Sequence, residues 1–174
     1  VGLDGEVLDS VVPSMYRLKY EIKGEPLISI LIPNKDHVSD LRKCIVSIQE
    51  KTSYPNYEII VIENNSEEEK TFQYYQLLEK RRNIRVVCWN GKFNYSAINN
   101  FGYTFAKGEY ILLLNNDTEG ISADWLQEML MYAQRGDVGA VGAKLYYPDN
   151  TVQHGGVVLG VGGVAAHLHC NRQK

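Results

Sequence analysis

Residues 108–119 read GEYILLLNNDTE. A short apolar run, Tyr110 to Leu114, stops abruptly at Asn115, Asn116, Asp117 and Thr118. An apolar run of this length between polar turn residues reads as a strand buried on both faces. In an open parallel sheet, ligands gather just beyond the carboxyl ends of such strands. Asp117 is therefore expected at the mouth of a crevice, as a carboxylate on a rigid support. Mg²⁺ and Mn²⁺ take one or two carboxylates and fill their other positions with diphosphate oxygens and water. The same residues also suit a plain turn and helix entry, because Asn and Asp bond to their own local backbone.

Working outward, the same pattern recurs. Leu27 to Ile32 (LISILI) reads as a buried strand closed by Pro33, with Asn34, Lys35 and Asp36 in the loop. Val38, Leu41, Cys44, Ile45 and Ile48 then recur at helical spacing, with Asp36 or Ser39 as candidate caps. Tyr57 to Ile62 (YEIIVI) is a second strand, opening into Glu63, Asn64, Asn65 and Ser66. A charged helix follows over 67–82, with Phe72, Tyr75 and Leu78 or their neighbours inward and acidic residues in its first turn. Ile84 to Cys88 is a third strand. Tyr95 to Lys107 is a helix, with Gly108 suited to the position just past its end. Ser122 can cap a further helix carrying Trp125, Leu126, Met129, Leu130 and Ala133. Two glycine-punctuated strands follow, over 138–147 and 157–164. Before all of these, Tyr16, Leu18, Tyr20 and Ile22 alternate as in a short edge strand or extended arm.

Strand–helix–strand alternation repeated four times calls for an α/β fold: a mostly parallel sheet with helices on both faces and right-handed crossovers. The chain of 174 residues holds one domain core. The expected organisation is an arm or linker over 1–25 and one domain over 26–174. The chain begins at Val1, and His167 to Lys174 end without a closing element, so an excised piece of a longer chain is expected.

A formal net charge of −3 argues against general nucleic-acid binding. No apolar run approaches the roughly 20 residues needed to span a bilayer. Cys44, Cys88 and Cys170 are odd in number and widely spaced, which reads as buried free thiols in a reducing compartment. GxxxxGK[ST], GxGxxG after the first strand, and GxSxG are all absent. What remains is polar chemistry at three strand ends: Asn34 with Asp36, Glu63 with Asn64, and Asn115 with Asp117. The first two could hydrogen-bond a base or ribose, and the third could hold a metal on a diphosphate.

Four runs, LISILIPNKD, YEIIVIENNS, FNYSAINNFGYTFAKGEYILLLNNDTE and VGAVGAKLYYPDNTVQHGGVVLG, stand in order over roughly 26–165. Together they resemble the inverting family 2 glycosyltransferases of GT-A fold, in the bacterial branch that builds surface polysaccharides. The resemblance implies a nucleotide pocket lined by Pro33, Asn34 and Asp36. It implies contacts from Glu63 and Asn64 to base and ribose, and Asn99 and Asn100 directed toward the nucleotide. The family's DXD motif stands here as Asn115-Asn116-Asp117, keeping the last carboxylate as metal ligand and replacing the first by an amide.

The partners so implied are a UDP-, GDP- or dTDP-sugar donor, a glycan acceptor, and Mn²⁺ or Mg²⁺. The implied location is cytoplasmic, with the inner face of the membrane as a further option. The mechanism implied is direct displacement at the anomeric carbon, with a carboxylate base activating the acceptor hydroxyl. In the family that base lies well after the metal motif. Neither Asp149 nor Glu119 is a good substitute, so the base is expected beyond Lys174 and the fragment is expected to be inactive alone.

Other polar residues read more plainly. His154 suits a structural histidine bonded to backbone. His167, His169 and Cys170 have ligand spacing but no fourth partner. Lys92 and Lys144 suit solvated lysines, and Trp125 suits core. Two competing functions remain open: a non-catalytic nucleotide-sugar-binding module and a nucleotidyltransferase. The latter usually needs a glycine-rich basic loop after the first strand, which is lacking here.

Overall fold

A computed structural model describes residues 4–10, 12–160, 164–167 and 171–173. The elements run β1 (Gly5–Asp9), β2 (Tyr16–Tyr20), β3 (Ile28–Asn34), α1 (Val38–Lys51), β4 (Tyr57–Glu63), α2 (Glu69–Leu78), β5 (Ile84–Cys88), α3 (Tyr95–Tyr103) and β6 (Tyr110–Leu113). They continue with α4 (Trp125–Ala133), β7 (Leu145–Tyr146), β8 (Val152–His154), β9 (Val157–Leu159) and β10 (Ala165–His167). The chain forms two compact units, Ile22–Glu128 and Val1–Glu21 with Met129–Lys174.

The unit Ile22–Glu128 is the α/β core. Its sheet is four-stranded and parallel, in the order β5-β4-β3-β6. Ile30, Leu31, Ile32, Ile59, Ile60, Val61 and Ile62 are all fully buried. A continuous apolar strand of this kind is stable only when both faces are covered. Residues of one parity, Leu31, Ile60, Ile62 and Val87, pack with Ile98 of α3, and Phe101, Phe105 and Ile111 close the cluster. The opposite parity ends in Asn34 and Glu63, both of which hydrogen-bond Tyr75 of α2. Burying each such aliphatic side chain is worth about 1.5–3 kcal/mol. Seven in two adjacent strands therefore make this pair the rigid base of the unit.

Several expectations change. Strand β6 is only half-buried, with Leu113 exposed. Among the described residues it pairs with β3 alone, so it is a sheet edge and not a strand covered on both faces. The chain leaves β3 through two consecutive left-handed residues, Asp36 and His37, and α1 starts at His37 with no side-chain cap. Helix α3 ends at Tyr103, and Gly108 is not its terminal glycine. A Cβ at Gly108 would lie 2.6 Å from Leu27 O and 2.7 Å from Ser29 N. Close approach to the backbone of β3 is what demands glycine there. Phe72 is exposed, while Thr71, Tyr74, Tyr75 and Leu78 form the buried face of α2. Cys44 is buried as expected, but Cys88 is exposed. Trp125 is only half-buried, and its indole Nε1 donates to Thr52 Oγ1 (2.8 Å).

The other unit contains an antiparallel hairpin, β1 with β2, in the register Gly5↔Tyr20 to Asp9↔Tyr16. Its first strand has no apolar periodicity and was not legible in the sequence. The strand expected over 138–147 shrinks to β7, which pairs with β8. Strand β9 pairs with β10, and the rest of the strand expected over 157–164 lies partly outside the described residues. His154 meets another histidine rather than backbone: its Nδ1 lies 2.9 Å from His167 Nδ1. His169 and Cys170 lie outside the described residues. Among the described residues no helix is long and apolar enough to cross a membrane.

Candidate functional site

The strand order places β4 and β5 on one side of β3 and β6 on the other. The winding therefore reverses beside β3, and a crevice opens beyond the carboxyl ends of the strands at such a point. A cleft of about 190 Å³ lies there. Five residues expected from sequence line it: Pro33 and Asn34 at the end of β3, Asn64 after β4, and Asn115 and Asn116 after β6. The other lining residues, Lys35, Phe93, Tyr95 and Ile98, were not expected. Phe93 and Tyr95 are exposed aromatic side chains at the entry to α3. Two aromatic residues flanking Asn94, a residue type suited to capping the helix that begins at Tyr95, were the available signal. The cap itself is Asn94, whose Oδ1 accepts from Ala97 N (2.9 Å).

Asn34, Asn64 and Asn116 are placed by bonds to distant elements. Asn34 and Glu63 stand side by side in the β3–β4 register. Asn64 donates from Nδ2 to the carbonyls of Trp89 (3.1 Å) and Gly91 (3.0 Å). Both amide hydrogens are thereby used, and Oδ1 remains as that side chain's acceptor. Asn116 Nδ2 donates to Asn34 Oδ1 (2.6 Å). The loop after β6 is closed by Thr118 N donating to Asn115 O (3.3 Å), and it leaves Asp117 exposed.

The two acids expected at the first two strand ends are engaged elsewhere. Glu63 is buried, and Oε1 accepts from Ser66 N (2.5 Å) while Oε2 accepts from Tyr75 Oη (2.7 Å) and Ser66 Oγ (2.5 Å). Burial pushes the Tyr75 phenol far up, and the Glu63 carboxylate it faces pushes the same way. Asp36 Oδ1 accepts from Glu67 N and Glu68 N (3.0 Å each) and from Thr71 Oγ1 (3.3 Å), so it caps the approach to α2 rather than α1. Burial raises its carboxyl, but the amide bonds from Glu68 and Glu67 outweigh that and hold it below the usual value. Neither Asp36 nor Glu63 lines the cleft.

Asn99 and Asn100 part company on α3. Asn99 is buried and donates to Tyr95 O (2.8 Å), with its Oδ1 lacking a partner within the chain, whereas Asn100 is exposed. Such an orphaned buried acceptor costs stability unless water or a ligand reaches it.

Among the described residues no three His, Cys, Asp or Glu side chains gather as a ready-made metal cage. A hard cation on a diphosphate does not need one. Asp117 and Glu119 are both exposed oxygen donors of the right chemistry, two residues apart. Their charge is felt at Cys44, whose thiol is pushed up to about 12 by burial first and then by Asp117 and Glu119. That thiol stays protonated at neutral pH.

Comparison with known proteins gives this geometry its context. The chain is 47% identical over 159 residues to the uncharacterized protein y4gI of Sinorhizobium fredii, covering 91% of this chain and 18% of that protein. It is 44% identical over 160 residues to the O-antigen biosynthesis protein RfbC of Myxococcus xanthus, covering 91% of this chain and 12% of that one. It thus spans less than a fifth of the length of either relative. Among solved structures it resembles the mannosyltransferase PcManGT from Pyrobaculum calidifontis, a complex with GDP-Man and Mn²⁺. The TM-score is 0.63 at 17% identity, over 73% of this chain and 37% of that one, a likeness of fold. The family model described as glycosyl transferase family 2 matches residues 29–158, a span that begins in β3, contains the whole cleft and ends in β9. The parallel sheet with its cleft at the winding reversal is the GT-A arrangement, and the chain belongs to glycosyl transferase family 2.

Proposed function

We propose that this chain binds a nucleoside-diphosphate sugar and takes part in its inverting transfer to a glycan acceptor during the building of bacterial surface polysaccharide. The relative named for O-antigen biosynthesis supports the pathway, and the GDP-Man complex of the fold neighbour supports the donor class. The observation that carries the reading is the composition of the cleft. Its lining holds Lys35 and four asparagines and no carboxylate: Glu63 and Asp36 are bonded internally, and Asp117 stands exposed in the loop just past Asn116. A diphosphate entering such a lining meets one cation and no negative charge to repel it.

The residues divide the work. Asn64 offers Oδ1 to a ring N–H of the base. Phe93 and Tyr95 offer apolar faces at the rim, on which a base or ribose can stack. Asn115 and Asn116 bring neutral amides to the side where Asp117 stands. Asp117, with Glu119 beside it, would hold a Mn²⁺ or Mg²⁺ ion. Such an ion, when bound, neutralises charge building on the departing diphosphate.

Thermal unfolding followed by fluorescence tests the donor claim. UDP, GDP or dTDP with Mn²⁺ raises the melting temperature of the wild type. Asp117→Ala removes the Mn²⁺-dependent part of that rise. No response to any of the three nucleotides overturns the donor reading, and an unchanged response in Asp117→Ala overturns the metal assignment.

A further inference from the structure

Tyr75 sits at the centre of a line of side-chain hydrogen bonds that crosses the floor of the unit. It is 5% exposed. Its hydroxyl donates to Glu63 Oε2 (2.7 Å) and accepts from Asn34 Nδ2 (2.7 Å). The second Nδ2 hydrogen of Asn34 goes to the Asp36 carbonyl (2.9 Å), and Asn34 Oδ1 accepts from Asn116 Nδ2 (2.6 Å). The relay thus joins α2, the ends of β4 and β3, and the loop after β6.

Its polarity is forced from one end. Tyr75 Oη donates to Glu63 Oε2, whose oxygen is the acceptor. The hydroxyl has one hydrogen, so Tyr75 accepts from Asn34. The Asn34 amide is then oriented with Nδ2 toward Tyr75 and Oδ1 toward Asn116, which donates in turn. Flipping the Asn34 amide would bring two NH₂ groups face to face at Asn116. It would also draw the Tyr75 hydrogen away from Glu63. Asn34, Tyr75 and Glu63 are buried, where each lost partner is costly, so the line behaves as a unit up to the half-buried Asn116.

We propose that Tyr75 is a positioning residue for nucleotide-sugar binding: its hydroxyl passes the polarity of Glu63 through Asn34 to Asn116 and so fixes the loop that carries Asp117. The proposal rests on the donor-binding reading above. It gives the buried glutamate and α2 a role in donor binding although neither Glu63 nor Tyr75 lines the cleft.

Amide NMR on the ligand-free protein tests the relay without any ligand, and nucleotide titration tests its consequence. Tyr75→Phe shifts the side-chain NH₂ signals of Asn34 and Asn116 and the backbone amides of residues 115–118. Tyr74→Phe serves as the control, because Tyr74 is a buried tyrosine of the same helix that packs against Arg42 and lies outside the relay. It leaves those signals in place. With UDP, GDP or dTDP and Mn²⁺, Tyr75→Phe weakens binding about tenfold and Tyr74→Phe does not. Asn116→Ala, in an exterior loop, reports the relay from its other end by shifting the Asn34 NH₂ and Tyr75 ring signals, even if Tyr75→Phe folds poorly.

The double variant Tyr75→Phe/Asn116→Ala binds no worse than the weaker single variant, because both break one line. The proposal is overturned if the 115–118 signals stay put in Tyr75→Phe. It is equally overturned if the Tyr75 signals stay put in Asn116→Ala, or if the two binding losses add. Wild-type protein that binds no nucleotide overturns the donor reading, and with it the claimed role in binding. The NMR comparison separately decides whether the relay exists.

Discussion

Asp36 illustrates how a residue's type announces chemistry while its partners decide its use. From sequence it stood as a cap for α1 or a ligand in the nucleotide pocket, and in the structure its carboxylate is bonded to the entry of α2. Asp36→Ala should therefore destabilise the protein by about 1 kcal/mol, the usual cost of a lost helix cap. Because the folded carboxyl lies below its ordinary value of 3.8, the charged form adds stability above about pH 4. That contribution drains away as pH falls through the lower, folded value. Urea unfolding at a series of pH values checks this: wild type and Asp36→Asn should differ at neutral pH and converge in acid. Glu63 teaches the same lesson. Its burial and its bonds to Ser66 and Tyr75 make it a fixed acceptor that orients neighbours.

At the scale of elements, the close seating of α3 on β4 is the feature most open to test. A Cβ at Gly102 would stand 2.2 Å from Ile62 Cδ1 and 2.9 Å from its Cγ1. Ile62 is fully buried and has little room to give. Gly102→Ala gains helix propensity but overpacks this contact, for an expected net loss of about 1–3 kcal/mol by chemical denaturation. Ile62→Val removes the offending Cδ1, so the double variant should recover part of that loss. Gly108→Ala should resist any such rescue, since its Cβ would meet backbone atoms of Leu27 and Ser29. Its amide also donates to Ser29 Oγ (2.8 Å), a hydroxyl that donates in turn to Glu58 Oε1 (2.7 Å). The start of β6 is thereby pinned to β3 and β4. A half-buried edge strand can end in a well-placed polar loop because its entry is held in this way.

For the whole molecule, ligand binding and stability are linked. On the proposed donor-binding reading, a nucleotide–Mn²⁺ complex at about 100 times its dissociation constant should add about 2.7 kcal/mol to the folded state. In a chain of this size that corresponds to a rise in melting temperature of about 5–10 °C, readable by calorimetry. The response should scale with the logarithm of ligand concentration. The order of strands and helices through the α/β unit, its parallel sheet and the polar residues at its strand ends were legible in the sequence. They depend on apolar periodicity and on turn residues, which act over a few positions. The edge status of β6, the hairpin of β1 with β2, the aromatic rim and the internal engagement of Asp36 and Glu63 were not. Those depend on partners far along the chain: Asn34 bonds to Tyr75 across 41 positions and to Asn116 across 82. Local pattern named five of the nine residues that line the cleft, Pro33, Asn34, Asn64, Asn115 and Asn116. Only the folded chain decided which of them had hydrogen-bonding capacity left for a ligand, because that depends on every other donor and acceptor brought within reach.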